Sequence, residues 1–251
     1  CALANNVITL TSHMRNLIHS RGISLRKIDL IPNGYNPDHI SIQNKDSALS
    51  EKLGIKKNDV VLGYVGSFVD YEGIDILIKC FLHEDLKDNK ELKLLLVGSE
   101  GGVKVGSKSN GPITSLIEDL IEKNVSLKNK IILTGKVPFH EVRNYYSLID
   151  VLIYPRVSNA VTEIVSPIKP IEAAAMKKMI IMSNVGGMDE ILDENSCLIF
   201  KSGDVNSLVN KIKISLNQKK REEFSMNAKL WAEKNRTWNK LAMDFKGIIS
   251  S

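Results

Sequence analysis

Val151-Leu152-Ile153-Tyr154-Pro155-Arg156, a loop running past Glu163, then Ser166-Pro167-Ile168-Lys169-Pro170-Ile171-Glu172-Ala173-Ala174-Ala175-Met176, and finally Met179-Ile180-Ile181-Met182-Ser183 make up the stretch that decides the fold. Val151–Tyr154 and Met179–Ser183 are unbroken apolar runs of strand length, and the segment from about Pro170 to Lys177 reads as a helix between them. Pro170 suits the first helical turn, where its missing N–H would have no partner in any case. Strands apolar on both faces need cover on both faces, as in a parallel sheet.

The same alternation extends outward from this unit. Upstream, Val60–Val65 reads as a strand, and Ile74, Leu77, Ile78 and Phe81 repeat on one helical face. Leu92–Val97 is the next strand, and Ile113, Leu116, Ile117, Leu120 and Ile121 mark a helix that Pro112 starts. Ile131–Thr134 (strand) and Glu141–Leu148 (helix) complete that half. Downstream come a strand at Cys197–Phe200 and a helix through Val205, Leu208, Val209 and Ile212. The fold class is therefore α/β, a Rossmann-like parallel sheet with helices on both faces. Right-handed crossovers bring the loops after the strands to one edge, where such sheets bind ligands.

The flanks are less regular. Val7–Thr11 reads as a strand followed by a helix capped by Ser12, Pro32-Asn33-Gly34 as a turn, and Ser41–Ser50 as a linker or a surface helix. The Gly- and Ser-rich tract Gly101–Gly111 reads as a mobile loop. Trp231 and Trp238 sit in a polar helical pattern, which suggests docking against another surface. The chain opens Cys1-Ala2-Leu3 without a Met and reads as part of a longer protein.

Composition narrows the function classes. Apolar runs such as Leu94-Leu95-Leu96-Val97 are too short to cross a bilayer. Three separated cysteines and five scattered histidines form no metal-ligand spacing, and reduced thiols fit a cytoplasmic protein. Cys80 and Cys197 lie in apolar stretches and read as core filler. The net charge of +5 is spread along the chain, and Lys219-Lys220-Arg221 is followed at once by Glu222-Glu223, so nucleic acid is not an expected partner. A mild positive excess favours phosphorylated ligands and peripheral contact with anionic lipid.

The loop entering the helix at Lys169 carries the chemistry. A helix start offers free N–H groups and partial positive charge to a diphosphate, and Lys169 adds a full charge. Glu172, one turn further on, can accept from paired hydroxyls such as those of a ribose. The same residues equally suit an ordinary helix start with a surface Lys and a dipole-complementing Glu. Gly66, at the end of the Val60–Val65 strand, permits close backbone approach, or simply makes a turn. Gly98, with Gly101 and Gly102, reads as a loop without a phosphate-binding signature. Gly186-Gly187 reaches the same edge either to touch a ligand or to turn.

In order, these segments resemble the group 1 family of retaining glycosyltransferases with the GT-B fold, in which two Rossmann-like domains face each other across a cleft. The resemblance rests on Val7–Ser12, Asp29-Leu30-Ile31-Pro32-Asn33-Gly34-Tyr35-Asn36, Gly66–Ile74, Gly135-Lys136-Val137, Asp150–Pro155, Ile171-Glu172-Ala173-Ala174 and Arg236-Thr237-Trp238. The chain departs from the usual spacing of two Glu, since Ile164 stands eight residues before Glu172, and Glu163–Glu172 instead resembles a branch reading E-x-V-[ST]-P-[LI]-K-P-[LI]-E. Ser67 and Glu72 replace the Arg and Lys that the family often places in its first glycine loop.

The resemblance implies one half of a GT-B fold: residues 1–28 as a remnant of the acceptor domain, 29–230 as the donor-binding domain, and 231–251 as a helix crossing back. It implies transfer of a sugar from a UDP- or GDP-linked donor to a hydroxyl with retention, in surface polysaccharide or glycolipid synthesis. No cofactor or metal is expected. Arg156 and Lys169 would supply the missing charge, Glu163 would contact the donor sugar, and Glu172 the ribose. Gly66, Ser67, Ser166, Pro167 and Ile168 would line the phosphates, and Val137 the base. The partners implied are the donor, an N-terminal acceptor domain and the inner face of the membrane. Without that acceptor domain, donor binding with poor turnover is expected. A GT-B epimerase of sugar nucleotides and a non-catalytic binding subunit are the alternative readings.

Overall fold

The structure, a computed structural model, describes residues 1–101 and 111–249; residues 102–110 of the tract read as a mobile loop lie outside the described residues. In chain order the main elements are β1 (Val7–Thr9), α1 (Ser12–Ser20), β2 (Ile28–Leu30), α2 (Ser47–Lys52), β3 (Val60–Val65), α3 (Ile74–Leu82), α4 (Glu84–Lys87), β4 (Leu92–Val97) and α5 (Pro112–Lys123). They continue with β5 (Ile131–Leu133), α6 (Val142–Leu148), β6 (Val151–Tyr154), α7 (Lys169–Ala175), β7 (Met179–Ser183), β8 (Leu198–Phe200), α8 (Val205–Ser215), α9 (Gln218–Asn235) and α10 (Trp238–Ile249).

Strands β3 to β8 form one parallel sheet in the order β5-β4-β3-β6-β7-β8. The two inner pairs explain the unbroken apolar runs. Leu62, Tyr64, Leu94, Leu96, Leu152, Ile153, Ile180 and Ile181 are all buried, some facing one helical layer and some the other. Each such side chain contributes about 1.5–3 kcal/mol of burial. The chain order reverses between β3 and β6. The loops leaving these two strands diverge and open a crevice at the carboxyl edge.

Close approach at that edge depends on glycine. Gly98, just past β4, has φ +140°, and a methyl group there would lie 1.8 Å from the Gly66 carbonyl oxygen. Gly98→Ala is expected to cost roughly 3 kcal/mol or more, because backbone must move to relieve the overlap. Gly22→Ala, at φ +91° with nothing nearby, isolates the conformational penalty alone, about 1 kcal/mol. Equal losses in urea unfolding of the two variants would contradict this.

The flanks differ from the sequence reading in detail. Thr11, rather than Ser12, caps α1: its hydroxyl accepts from the Met14 N–H at 3.1 Å and donates to the Ile164 carbonyl at 3.0 Å. Ser12 N–H donates instead to Glu190 at 2.9 Å. Ile28–Leu30 is a strand, paired in parallel with β1. The Ser41–Ser50 stretch ends in α2, with Asp46 accepting from the Leu49 N–H. At the carboxyl end, α9 runs unbroken through residue 230, so the break before the last helix comes at Arg236-Thr237. Trp231 docks on the core of its own domain beneath the Arg236 guanidinium, 4.9 Å away. Tyr35 N–H donates to the Arg236 carbonyl and Trp238 N–H to the Tyr35 carbonyl, tying residues 31–36 to the turn between α9 and α10.

Candidate functional site

The crevice at the β3/β6 reversal collects residues from both halves of the sheet. Gly66 follows β3, and its N–H donates to the Val97 carbonyl at 2.9 Å. From the other half, α7 begins with Lys169, whose ammonium lies only 2.1 Å from where a Gly66 Cβ would stand. Only a residue without a side chain leaves the amine that position. Lys169 Nζ sits 5.6 Å from the centre of the Tyr64 ring. It makes no ion pair among the described residues. Burial pulls its pKa below the ordinary lysine value; Glu72 opposes that shift, Arg156 adds to it, and Glu172 opposes it.

The start of α7 is open. No side chain caps it, Pro170 has no N–H to satisfy, and the N–H groups of Ser166, Ile168 and Lys169 find no acceptor among the described residues. The turn is held from behind: Tyr154 donates to the Lys169 carbonyl at 3.1 Å, and Asn33 donates to the Ser166 carbonyl at 2.8 Å. Pro167 and Ile168 reach the surface here. Exposed Ser67 offers its hydroxyl, while its carbonyl accepts from Tyr64 at 3.0 Å.

Arg156 arrives at the same edge with its charge already matched. Its Nη2 and Nε donate to one Glu72 oxygen at 2.8 and 3.2 Å, and the two side chains are only 11% and 7% exposed. The guanidinium lies 5.8 Å from the Tyr71 ring centre. Lys169, rather than Arg156, is thus the uncommitted cation.

Glu172 faces a groove of about 560 Å³ between α6 and α7, bordered by Phe139, Arg143, Tyr146, Ile168 and Met176. Burial raises its pKa and Lys169 lowers it in part. Val137 packs against the core in the loop after β5, next to the Phe139 end of this groove. Glu163 stands apart: its carboxylate accepts from the Gly186 N–H at 2.9 Å, so the backbone of the loop after β7 holds it. His13, Asp189 and Glu190 gather beside it, their ligand-capable atoms within 4.8 Å of one another. Sequence spacing gave no sign of that cluster or of the Glu72–Arg156 pair.

The architecture is that of a Rossmann-like α/β domain with an open crevice at the carboxyl edge of its sheet. Residues 45–231 match the family described as glycosyl transferases group 1, and the chain belongs to that family. It is similar to the lipopolysaccharide 1,2-N-acetylglucosaminetransferase of Salmonella typhimurium, 23% identical over 95% of this chain and 60% of that protein. It is also 24% identical to the uncharacterized glycosyltransferase MJ1069 of Methanocaldococcus jannaschii, over 98% of this chain and 58% of that one. The chain spans about three-fifths of the length of these relatives. In fold it resembles Anabaena Alr3699/HepE in complex with UDP (TM-score 0.83, 17% identity, 98% of this chain and 64% of that one). It likewise resembles WaaG, a glycosyltransferase involved in lipopolysaccharide biosynthesis (TM-score 0.72, 20% identity, 94% and 60%). These structures are of the GT-B kind, and the six-stranded parallel sheet with helices on both faces matches them.

Proposed function

We propose that this chain holds a UDP-linked sugar at the β3/β6 crevice and takes part in its retaining transfer to a hydroxyl acceptor, in surface polysaccharide or glycolipid synthesis at the cytoplasmic face of a membrane. The observation that carries the reading is the unpaired Lys169 ammonium, set against Gly66 and beside the free N–H groups of Ser166 and Ile168. In the reaction the bond from the anomeric carbon to the β-phosphate oxygen breaks, and the diphosphate leaves with the electron pair. The acceptor oxygen bonds to that carbon, and its proton passes to the departing diphosphate oxygen. Charge developing on the diphosphate meets a preorganised cation and dipoles at no reorganisation cost. In this reading these side-chain and backbone groups take the place of a metal.

Glu172 accepts from the ribose hydroxyls, with the base along the groove toward Val137. Arg156, held by Glu72, adds a second cation behind Lys169. Glu163 reaches the sugar only by leaving the Gly186 N–H. Uridine is favoured because the HepE structures contain UDP, and the lipopolysaccharide transferase of Salmonella supports the polysaccharide context. The acceptor is bound by a further domain, in keeping with the greater length of the relatives, and the chain by itself turns over poorly. Among the described residues no helix is long and apolar enough to cross a membrane; membrane contact in this scheme is peripheral.

A calorimetric screen of UDP, GDP, ADP and CDP tests the reading. UDP is expected to bind, and its 2′-deoxy form to bind more weakly, with the difference lost in Glu172→Ala. Absence of heat with every nucleoside diphosphate would sink it.

A further inference from the structure

The opposite edge of the sheet, where β3, β4 and β5 begin, carries a second concavity, of about 710 Å³. It is formed by the loops before those strands and lined by Lys56, Lys87, Lys90, Lys93, Lys128 and Lys130, with Asp88 as its one acid. Six lysines against one aspartate give the lining a formal +5, equal to the net charge of the whole chain. The rest of the surface is therefore balanced.

Two of these lysines build the walls. Lys93 Nζ donates to the Asn129 carbonyl at 2.6 Å, and buried Lys130 donates to the carbonyls of Leu86 and Lys87, joining the end of α4 to the loop before β5. The other four, Lys56, Lys87, Lys90 and Lys128, are exposed and make no ion pair among the described residues. Lys79, Lys213, Lys220, Lys229 and Lys240 each hold a carboxylate, and the other lysines without an ion pair do not converge on a common hollow as these four do. Even Asp85, two residues before Lys87, pairs with Lys213 instead. Unpaired like charges held around a hollow repel one another, and an anion with several charges relieves that repulsion. Val125, at the rim, is 75% exposed and adds an apolar contact.

We infer that this hollow is an anion site for phosphate-bearing groups, separate from the donor crevice. A six-residue strand puts about 20 Å between the two edges, more than twice the Debye length of about 8 Å at physiological salt. The sites therefore act independently, and this inference does not rest on the donor reading. Two sources present the same chemistry: the headgroups of an anionic membrane, or a free polyphosphate.

The test uses Lys56→Gln/Lys87→Gln/Lys90→Gln/Lys128→Gln. A charge-matched control carries Gln at Lys123, Lys219, Lys234 and Lys246, and circular dichroism checks the fold of both. One arm is co-sedimentation with phosphatidylglycerol vesicles against phosphatidylcholine vesicles. The other is titration of inorganic pyrophosphate into the Lys169→Ala protein, where the donor crevice is weakened. Binding in either arm that falls at least roughly tenfold in the hollow variant, but not in the control, supports the site, and the arm that responds names the source. No binding in either arm, or equal loss in hollow variant and control, overturns it.

Discussion

Lys169→Met is expected to weaken UDP binding by about 2–3 kcal/mol, roughly 30- to 150-fold, while uridine affinity changes little. Methionine keeps an unbranched stem of similar length over Tyr64, so the loss reports the ammonium and not the packing. The expectation is large because the amine is half-buried and unpaired: the chain has already met the cost of desolvating it, and the diphosphate supplies the partner. Lys169→Arg should recover only part of the affinity, since the wider guanidinium cannot fit against the Gly66 backbone. Calorimetry on the folded variants decides the matter. Wild-type UDP affinity in Lys169→Met would remove the cation from the phosphate site.

Changes at Glu72 are expected to move stability and affinity in opposite directions. Glu72→Ala leaves the Arg156 guanidinium buried beside Lys169 without its partner, which costs about 3 kcal/mol, or roughly 6–12 °C in Tm for a chain of this length. Glu72→Leu with Arg156→Met should restore most of it, because two well-packed apolar chains replace two matched charges. Glu72→Gln keeps the hydrogen-bonding shape but removes a negative charge near the phosphates. UDP should then bind about fivefold tighter, a gain of about 1 kcal/mol at short range in a partly shielded site. Thermal melts and calorimetry on one protein sample measure both. A fall in UDP affinity on Glu72→Gln would show that Glu72 serves the ligand directly.

How much could be read from the sequence followed from how each feature is written there. β3, β4, β6 and β7 are buried on both faces, so their runs are apolar but for Lys93 near the start of β4 and Ser183 at the end of β7, and their limits were plain. β2 escaped because Ile28–Leu30 is three residues with Asp29 in the middle, paired only to the equally short β1. Thr11 and Ser12 are both good caps, and the choice between them is made by Glu190, 178 residues away. The placement of Lys169 and Glu172 at the start of α7 was legible because a proline and a charge sit in one local segment. The Glu72–Arg156 pair was not, since 84 residues separate its members, and Glu72 alone looked like the loss of a cation. The basic hollow was hidden for the same reason. Its lysines come from three separate stretches of the chain, and along the chain the positive charge looked evenly spread.

The reversal of strand order between β3 and β6 has a thermodynamic consequence. Gly66 belongs to one run of the chain and Lys169 to the other, so any molecule touching both acts as a clasp across the seam. Local opening of either half destroys the whole recognition surface, and occupancy resists that opening by RT ln(1 + [L]/Kd). If the proposed donor binds there, the domain is consequently most susceptible to proteolysis and amide exchange when donor is scarce, and an occupied crevice protects both halves at once.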